Sequence, residues 1–186
     1  MKITLIFKHF CTITKHRHLV IFHCAKCGIF WQGLLHDLSK YTPTEFVAGA
    51  KYYQGTRSPN EREREINGFS RAWMHHKGHN KHHFEYWTDY NCQTKRVEAV
   101  PMDENYIIEM FCDRIAASKV YNGKNYSDSD TLNYFLNGRG KHLMHPKTAQ
   151  KLEYLLEMLA QKGEKTTFAF VKHLHKTRKS LPLKEK

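Results

Sequence analysis

His36 and Asp37 stand side by side at the end of an apolar run, Gly33-Leu34-Leu35-His36-Asp37-Leu38-Ser39-Lys40. Burying such a pair without partners is costly. Imidazole nitrogen and carboxylate oxygen are both good ligands for a divalent ion, and a metal would remove that cost. Adjacent helical residues point about 100° apart. The two side chains therefore converge only where a helix ends. Thr42-Pro43-Thr44-Glu45 reads as a capping box with proline at the first helical position, which implies a break just after Lys40. Lys40 follows Asp37 by three residues and is placed to hold a phosphate as a point charge.

A second concentration of chemistry lies between Met74 and Trp87, where His75, His76, His79, His82 and His83 fall close together. Their flanks, Trp73, Phe84, Tyr86 and Trp87, imply that the run is packed. His76 and His83 can face one cavity across a loop centred on Gly78. Glu109 and Asp113 are four residues apart and share a helical face. Glu109 could orient a histidine, act as a base, or form a structural salt bridge. Arg57 and Lys119 could add positive charge for a phosphate. Cys24-Ala25-Lys26-Cys27 lacks the second cysteine pair of a structural zinc site and reads as two thiols on a packed helix.

The elements that must position these groups are helical. Leu152, Leu155, Leu156 and Leu159 recur at helix spacing, as do Ile107, Ile108, Phe111 and Ile115. Ser58-Pro59-Asn60-Glu61 repeats the capping device. Pro146 opens a helix that Gly163 closes. Helices are expected over 14–27, 29–38, 43–53, 59–77, 81–88, 103–121, 128–137, 146–162 and 165–177, with a short extended piece near 95–100. The fold class expected is all-α, in one domain of 186 residues, with a helical extension over 122–177 and a basic tail over 178–186.

Thirty Lys+Arg against 18 Asp+Glu give a formal charge of +12, which favours anionic partners. No apolar run approaches the ~20 residues needed to span a bilayer, and Ile3–Phe7 is too short for a secretory signal, so no membrane partner and a cytoplasmic location are expected. Five cysteines, an odd number, fit reduced thiols.

The stretch around His36-Asp37 resembles the His-Asp motif of the HD-domain metal-dependent phosphohydrolase superfamily, over about residues 14–121. The resemblance implies an HD-like helical bundle. It also implies an upstream histidine ligand, for which His16 is the candidate with His18 and His23 as rivals, and a late-helix aspartate, matched by Asp113 in Glu109-Met110-Phe111-Cys112-Asp113. Some branches of that superfamily add histidines that bind a second ion, with the motif aspartate as the bridge. On that pattern His16, His36, Asp37 and Asp113 hold one ion, while Asp37 and two of His76, His82 and His83 hold the other. The whole chain is similar to an uncharacterised bacterial family of short, His-rich, HD-like proteins through "QGLLHDLSKYTPTEF", "HHKGHNKHHFEYW" and "EMFCDRIAASK".

The function this implies is hydrolysis of a nucleotide or other small phosphoester, with one or two ions of Mn, Co, Ni, Zn or Fe. Asp37, Lys40 and Glu109 would serve catalysis, and Lys40, Arg57 and Lys119 the substrate phosphate. A di-iron oxygenase acting on a small molecule is the alternative. A non-enzymatic module that binds nucleic acid weakly through its basic surface is a third reading. The resemblance also admits a homodimer.

Overall fold

The computed structural model describes residues 2–184 and is all-α apart from one hairpin. Eight helices follow one another: α1 Ile3–Cys27, α2 Phe30–Leu35, α3 Pro43–Lys51, α4 Pro59–Asn67, α5 Arg71–His79, α6 Glu104–Asn122, α7 Asp130–Asn137 and α8 Pro146–Thr177. Strands β1 Thr88–Asn91 and β2 Arg96–Ala99 pair antiparallel between α5 and α6.

Helix α6 is the centre of the bundle. Ile107 through Cys112, with Ile115 and Ala116, is buried and apolar but for Glu109, so α6 carries apolar residues on most sides and must be enclosed. It packs between α1, through Val20, Cys24 and Cys27, and α8, through Leu152, Leu155, Leu156, Leu159, Phe168 and Val171. Helix α2 lies close along α1. A Cβ on Gly33 would come within 2.5 Å of the Cys24 Cβ, so only glycine permits this approach.

Several elements differ from the sequence expectation. Helix α1 begins eleven residues earlier than expected, because His9 and Ile13 extend its buried stripe. The expected helix over 59–77 is two helices. Gly68 ends α4 in the left-handed region and the Ser70 hydroxyl caps α5 at Trp73 N. The expected helix over 81–88 is only a 3-10 turn, Phe84–Tyr86, that leads into β1. Asn91 Oδ1 accepts from Gln93 N and Thr94 N, which builds the hairpin turn. The two expected C-terminal helices are joined as α8 and bent at Gly163, whose φ of 74° and ψ of 170° leave the helical region.

Beyond Thr177 the chain leaves helical geometry but does not fray. Leu181 is buried, and Lys184 pairs with Glu153 at 2.8 Å and Glu157 at 2.5 Å. The last two residues of the expected basic tail, 185–186, lie outside the described residues. All five cysteines are free, and Cys24, Cys27 and Cys112 are buried. No helix of the described residues is long and apolar enough to cross a membrane.

His23 sits in this core. Its Nδ1 lies 3.3 Å from Cys112 O and its ring stacks on Phe168. Burial, reinforced by Lys119, pushes its pKa down from 6.5 to about 4. The unfolded chain takes up this proton as pH falls below 6.5, and the folded chain resists until about 4. Stability is therefore full above that window and falls with acid through it. Urea unfolding with chelator present should show His23→Gln losing about 2 kcal/mol less than wild type between pH 7 and 5. Parallel losses in both proteins would remove His23 from the account.

Candidate metal centre

The His36-Asp37 pair converges by a backbone device. Helix α2 stops at Leu35, His36 is extended (φ −53°, ψ 131°) and Asp37 takes a left-handed conformation (φ 56°, ψ 24°). A non-glycine residue held there is strained, and the surroundings must enforce it. They include Arg17, whose guanidinium donates to His36 O at 3.1 Å and to Leu34 O, covering the carbonyls at the end of α2. The break comes at Asp37 itself rather than after Lys40, and a 3-10 turn, Leu38–Tyr41, connects to α3.

Asp37 then looks two ways. Its Oδ2 lies 3.1 Å from His36 Nε2 and 3.7 Å from His16 Nε2. Its Oδ1 lies 3.3 Å from His76 Nε2 and 3.5 Å from His82 Nε2. On the first side Asp113 Oδ1 completes a quartet, 2.9 Å from His16 Nε2 and 3.5 Å from His36 Nε2. On the second side His83 completes another, its Nε2 2.8 Å from His76 Nε2. Each quartet offers four ligand atoms within 4.8 Å of one another, and Asp37 belongs to both.

Two carboxylates behind the histidines hold their rings. Glu109 accepts from His36 Nδ1 at 2.8 Å, and His82 Nδ1 reaches the same oxygen at 3.1 Å. Gln32 Nε2 steadies the other oxygen at 2.6 Å. Glu45 accepts from His76 Nδ1 and His75 Nδ1, both at 2.7 Å. An ionised carboxylate only accepts, so Nδ1 of each of these rings carries the proton, and in the metal-binding tautomer Nε2 of His36, His76 and His82 is left to face the centre. Despite the cost of burial, the hydrogen bonds from His36 and His82 hold Glu109 down at about 2.

The donor atoms fit cations. His82 Nε2 and Asp37 Oδ1 are buried without a hydrogen-bond partner, while His16 Nε2, His36 Nε2 and Asp37 Oδ2 meet one another, Asp113 and Lys40. Buried polar atoms are seldom left unpaired, and these five converge on one place. Asp37, Asp113, Glu109 and Glu45 bring four carboxylates together beside the ammonium of Lys40, a strongly anionic setting that suits cations. Without an ion, the cluster recruits protons instead. Burial opposes a charged His36, yet Asp37 and the hydrogen bonds His36 donates to Asp113 and Glu109 raise its pKa well above the usual histidine value. Burial lowers His16 and His76, leaving these imidazoles in the neutral form that ligation requires.

The other sequence candidates fall as follows. Lys40 Nζ is 2.6 Å from Asp37 Oδ2 and partly open to solvent, at the edge of the centre. His18 is exposed and His23 is turned into the core, so neither rival joins the cluster. Arg57 is not brought to it. Its guanidinium forks onto Glu65 at 2.5 and 2.7 Å on the surface of α4. Lys119 pairs with Glu164 over the Tyr126 ring, toward α8. The turn between the histidines is at Asn80, not Gly78, because α5 continues through Gly78 to His79. Asn80 Nδ2 donates to Ser39 Oγ and His76 O, both at 2.8 Å, and so ties α5 to the turn after Asp37.

A family model described as a family of unknown function, DUF5662, matches residues 5–158. The chain belongs to that family. No curated protein and no solved structure matches. The DUF5662 span contains both quartets together with Lys40, Glu45 and Glu109, and ends within the first half of α8.

Glu45 was absent from the sequence candidates and separates the two quartets experimentally. It holds His76 of the second quartet and none of the first. Glu45→Gln should therefore weaken one ion by roughly 10–100-fold and leave the other unchanged. Competition with a chromophoric chelator reads this as two unequal steps. A uniform weakening would show that the quartets are not independent.

Proposed function

We propose that this protein is a dinuclear metal-dependent phosphohydrolase acting on a nucleotide or another small phosphoester. The observation that carries the reading is Asp37, whose two oxygens face two separate sets of buried donors. His16, His36, Asp37 and Asp113 would hold one ion, and Asp37, His76, His82 and His83 the other. Bound ions would lower the pKa of a water to near 7 and polarise the phosphoryl group.

The chain's own residues do the rest. Glu109 and Glu45 fix three imidazoles in one tautomer, so the donors need no reorganisation when cations enter. Lys40 keeps its proton, because Asp37 outweighs the cost of burying the ammonium and raises its pKa above the usual lysine range. That charge at the rim would draw in and hold an anionic phosphoryl group. Asp113, the most open carboxylate of the first quartet, marks the side from which substrate would enter. The HD-domain resemblance of the Gly33–Lys40 stretch supports the same chemistry.

The test is a phosphoester screen, nucleoside monophosphates included, on untagged protein loaded in turn with Mn, Co, Ni and Zn. Hydrolysis that chelator removes and metal restores is expected. Oxygen-dependent turnover of a substrate by iron-loaded protein, with no hydrolysis under any metal, would replace this reading with an oxygenase.

A further inference from the structure

The N-terminal quarter carries a surface that the metal centre does not use. Helix α1 exposes Ile3, Phe7, Phe10 and Phe22 along its outer side, with Phe7 at 67% and Phe22 at 56%. Beside it α2, only six residues long, exposes Trp31 at 76% and Leu35 at 67%. The 3-10 turn that follows α2 packs on α1, with the Tyr41 ring 6.2 Å from Phe10 and its hydroxyl 3.1 Å from that of Thr14. Aromatic side chains this exposed on two neighbouring helices are unusual for a folded surface and point to an interaction.

The charges around this patch say what covers it. From Lys2 to Thr44 the only acidic residue is Asp37, which is buried in the metal centre. Lys8, Lys15 and Lys26 rim the exposed side of α1 with no carboxylate among them. A second copy docked here by a two-fold axis would set these cations against themselves with nothing to pair them. Aromatic and leucine side chains rimmed by lysine match the boundary of an anionic bilayer instead.

We infer that this face of α1 and α2 lies against a bilayer containing anionic lipid. The helices rest on the surface and do not cross it. The attachment is independent of the chemistry at Asp37.

The experiment is flotation with vesicles of phosphatidylcholine alone or with roughly one-third phosphatidylglycerol. Wild type should float with the anionic vesicles only, and less as salt rises. Trp31→Glu with Leu35→Glu should stay unbound while keeping the wild-type circular dichroism and metal content. Lys8→Gln and Lys15→Gln should each weaken binding about fivefold. Brominated lipid should quench wild-type tryptophan emission, and Trp31→Phe should abolish the quenching, which keeps the inference testable if the double variant misfolds. Absence of flotation, equal flotation of a folded double variant, or quenching that survives Trp31→Phe would overturn it. A wild-type dimer that the double variant breaks, with no vesicle binding, would give the face to a second copy and overturn it also.

Discussion

Asp37→Asn should abolish phosphoester hydrolysis and with it the stabilisation that added metal confers. Asparagine is nearly isosteric and tolerates the left-handed backbone at this position, so the fold should survive. What is lost is the charge shared by both quartets, from which His16, His36, His76 and His82 all lie within 3.7 Å. Removing an orienting partner of a ligand typically costs 10–100-fold in affinity or activity. Removing a ligand common to two ions should cost more, at least roughly a thousandfold in turnover, about 4 kcal/mol of barrier. Thermal unfolding with and without manganese supplies the second readout. Wild type should gain stability from saturating metal as binding linkage requires, and Asp37→Asn should not. Full activity in a folded Asp37→Asn protein would refute the role of Asp37 outright.

The second large effect belongs to Glu109, which touches neither the outer face of the centre nor solvent. It holds His36 of one quartet and His82 of the other through the same oxygen. Glu109→Gln keeps the shape and replaces that acceptor with an amide, so both rings lose a charge-assisted bond together. Both ions should weaken by roughly 10–100-fold each, in contrast to the single step of Glu45→Gln. Titration of the metal-free proteins against a competing chelator separates the two patterns. Loss of only one ion in Glu109→Gln would mean that His36 or His82 is held in place by packing alone.

Much of the centre was legible in the sequence because its donors are histidines and aspartates, whose types announce what they can do. His16, His36, Asp37, His76, His82, His83 and Asp113 are all brought together. Glu45 was not legible, because Thr42-Pro43-Thr44-Glu45 satisfies a local pattern equally well. In the structure Thr42 makes no cap bond, its hydroxyl goes to Ser39 O at 2.7 Å, and Glu45 turns to His75 and His76. Arg17 escaped notice because a guanidinium covering helix-end carbonyls follows no sequence spacing. Arg57 and Lys119 could not be assigned a partner from the sequence, for the opposite reason. Positive charge is visible in a sequence, but the carboxylate that takes it, Glu65 or Glu164, is chosen by the fold.

The same limit explains the elements. Helix α6 and the first half of α8 followed from their apolar periodicity, but the joining of α8 across Gly163 did not. The hairpin's first strand was lost because Thr88–Asn91 pairs through backbone geometry, with its register to Arg96–Ala99 set by a turn built on Asn91.

The most direct test of the central claim is elemental analysis of untagged wild-type protein after metal loading and removal of excess ion, beside Asp37→Asn treated identically. The account predicts two equivalents of Mn, Co, Ni, Zn or Fe in wild type and none retained in the variant. No stoichiometric metal in wild type, or the same content in both proteins, would contradict it.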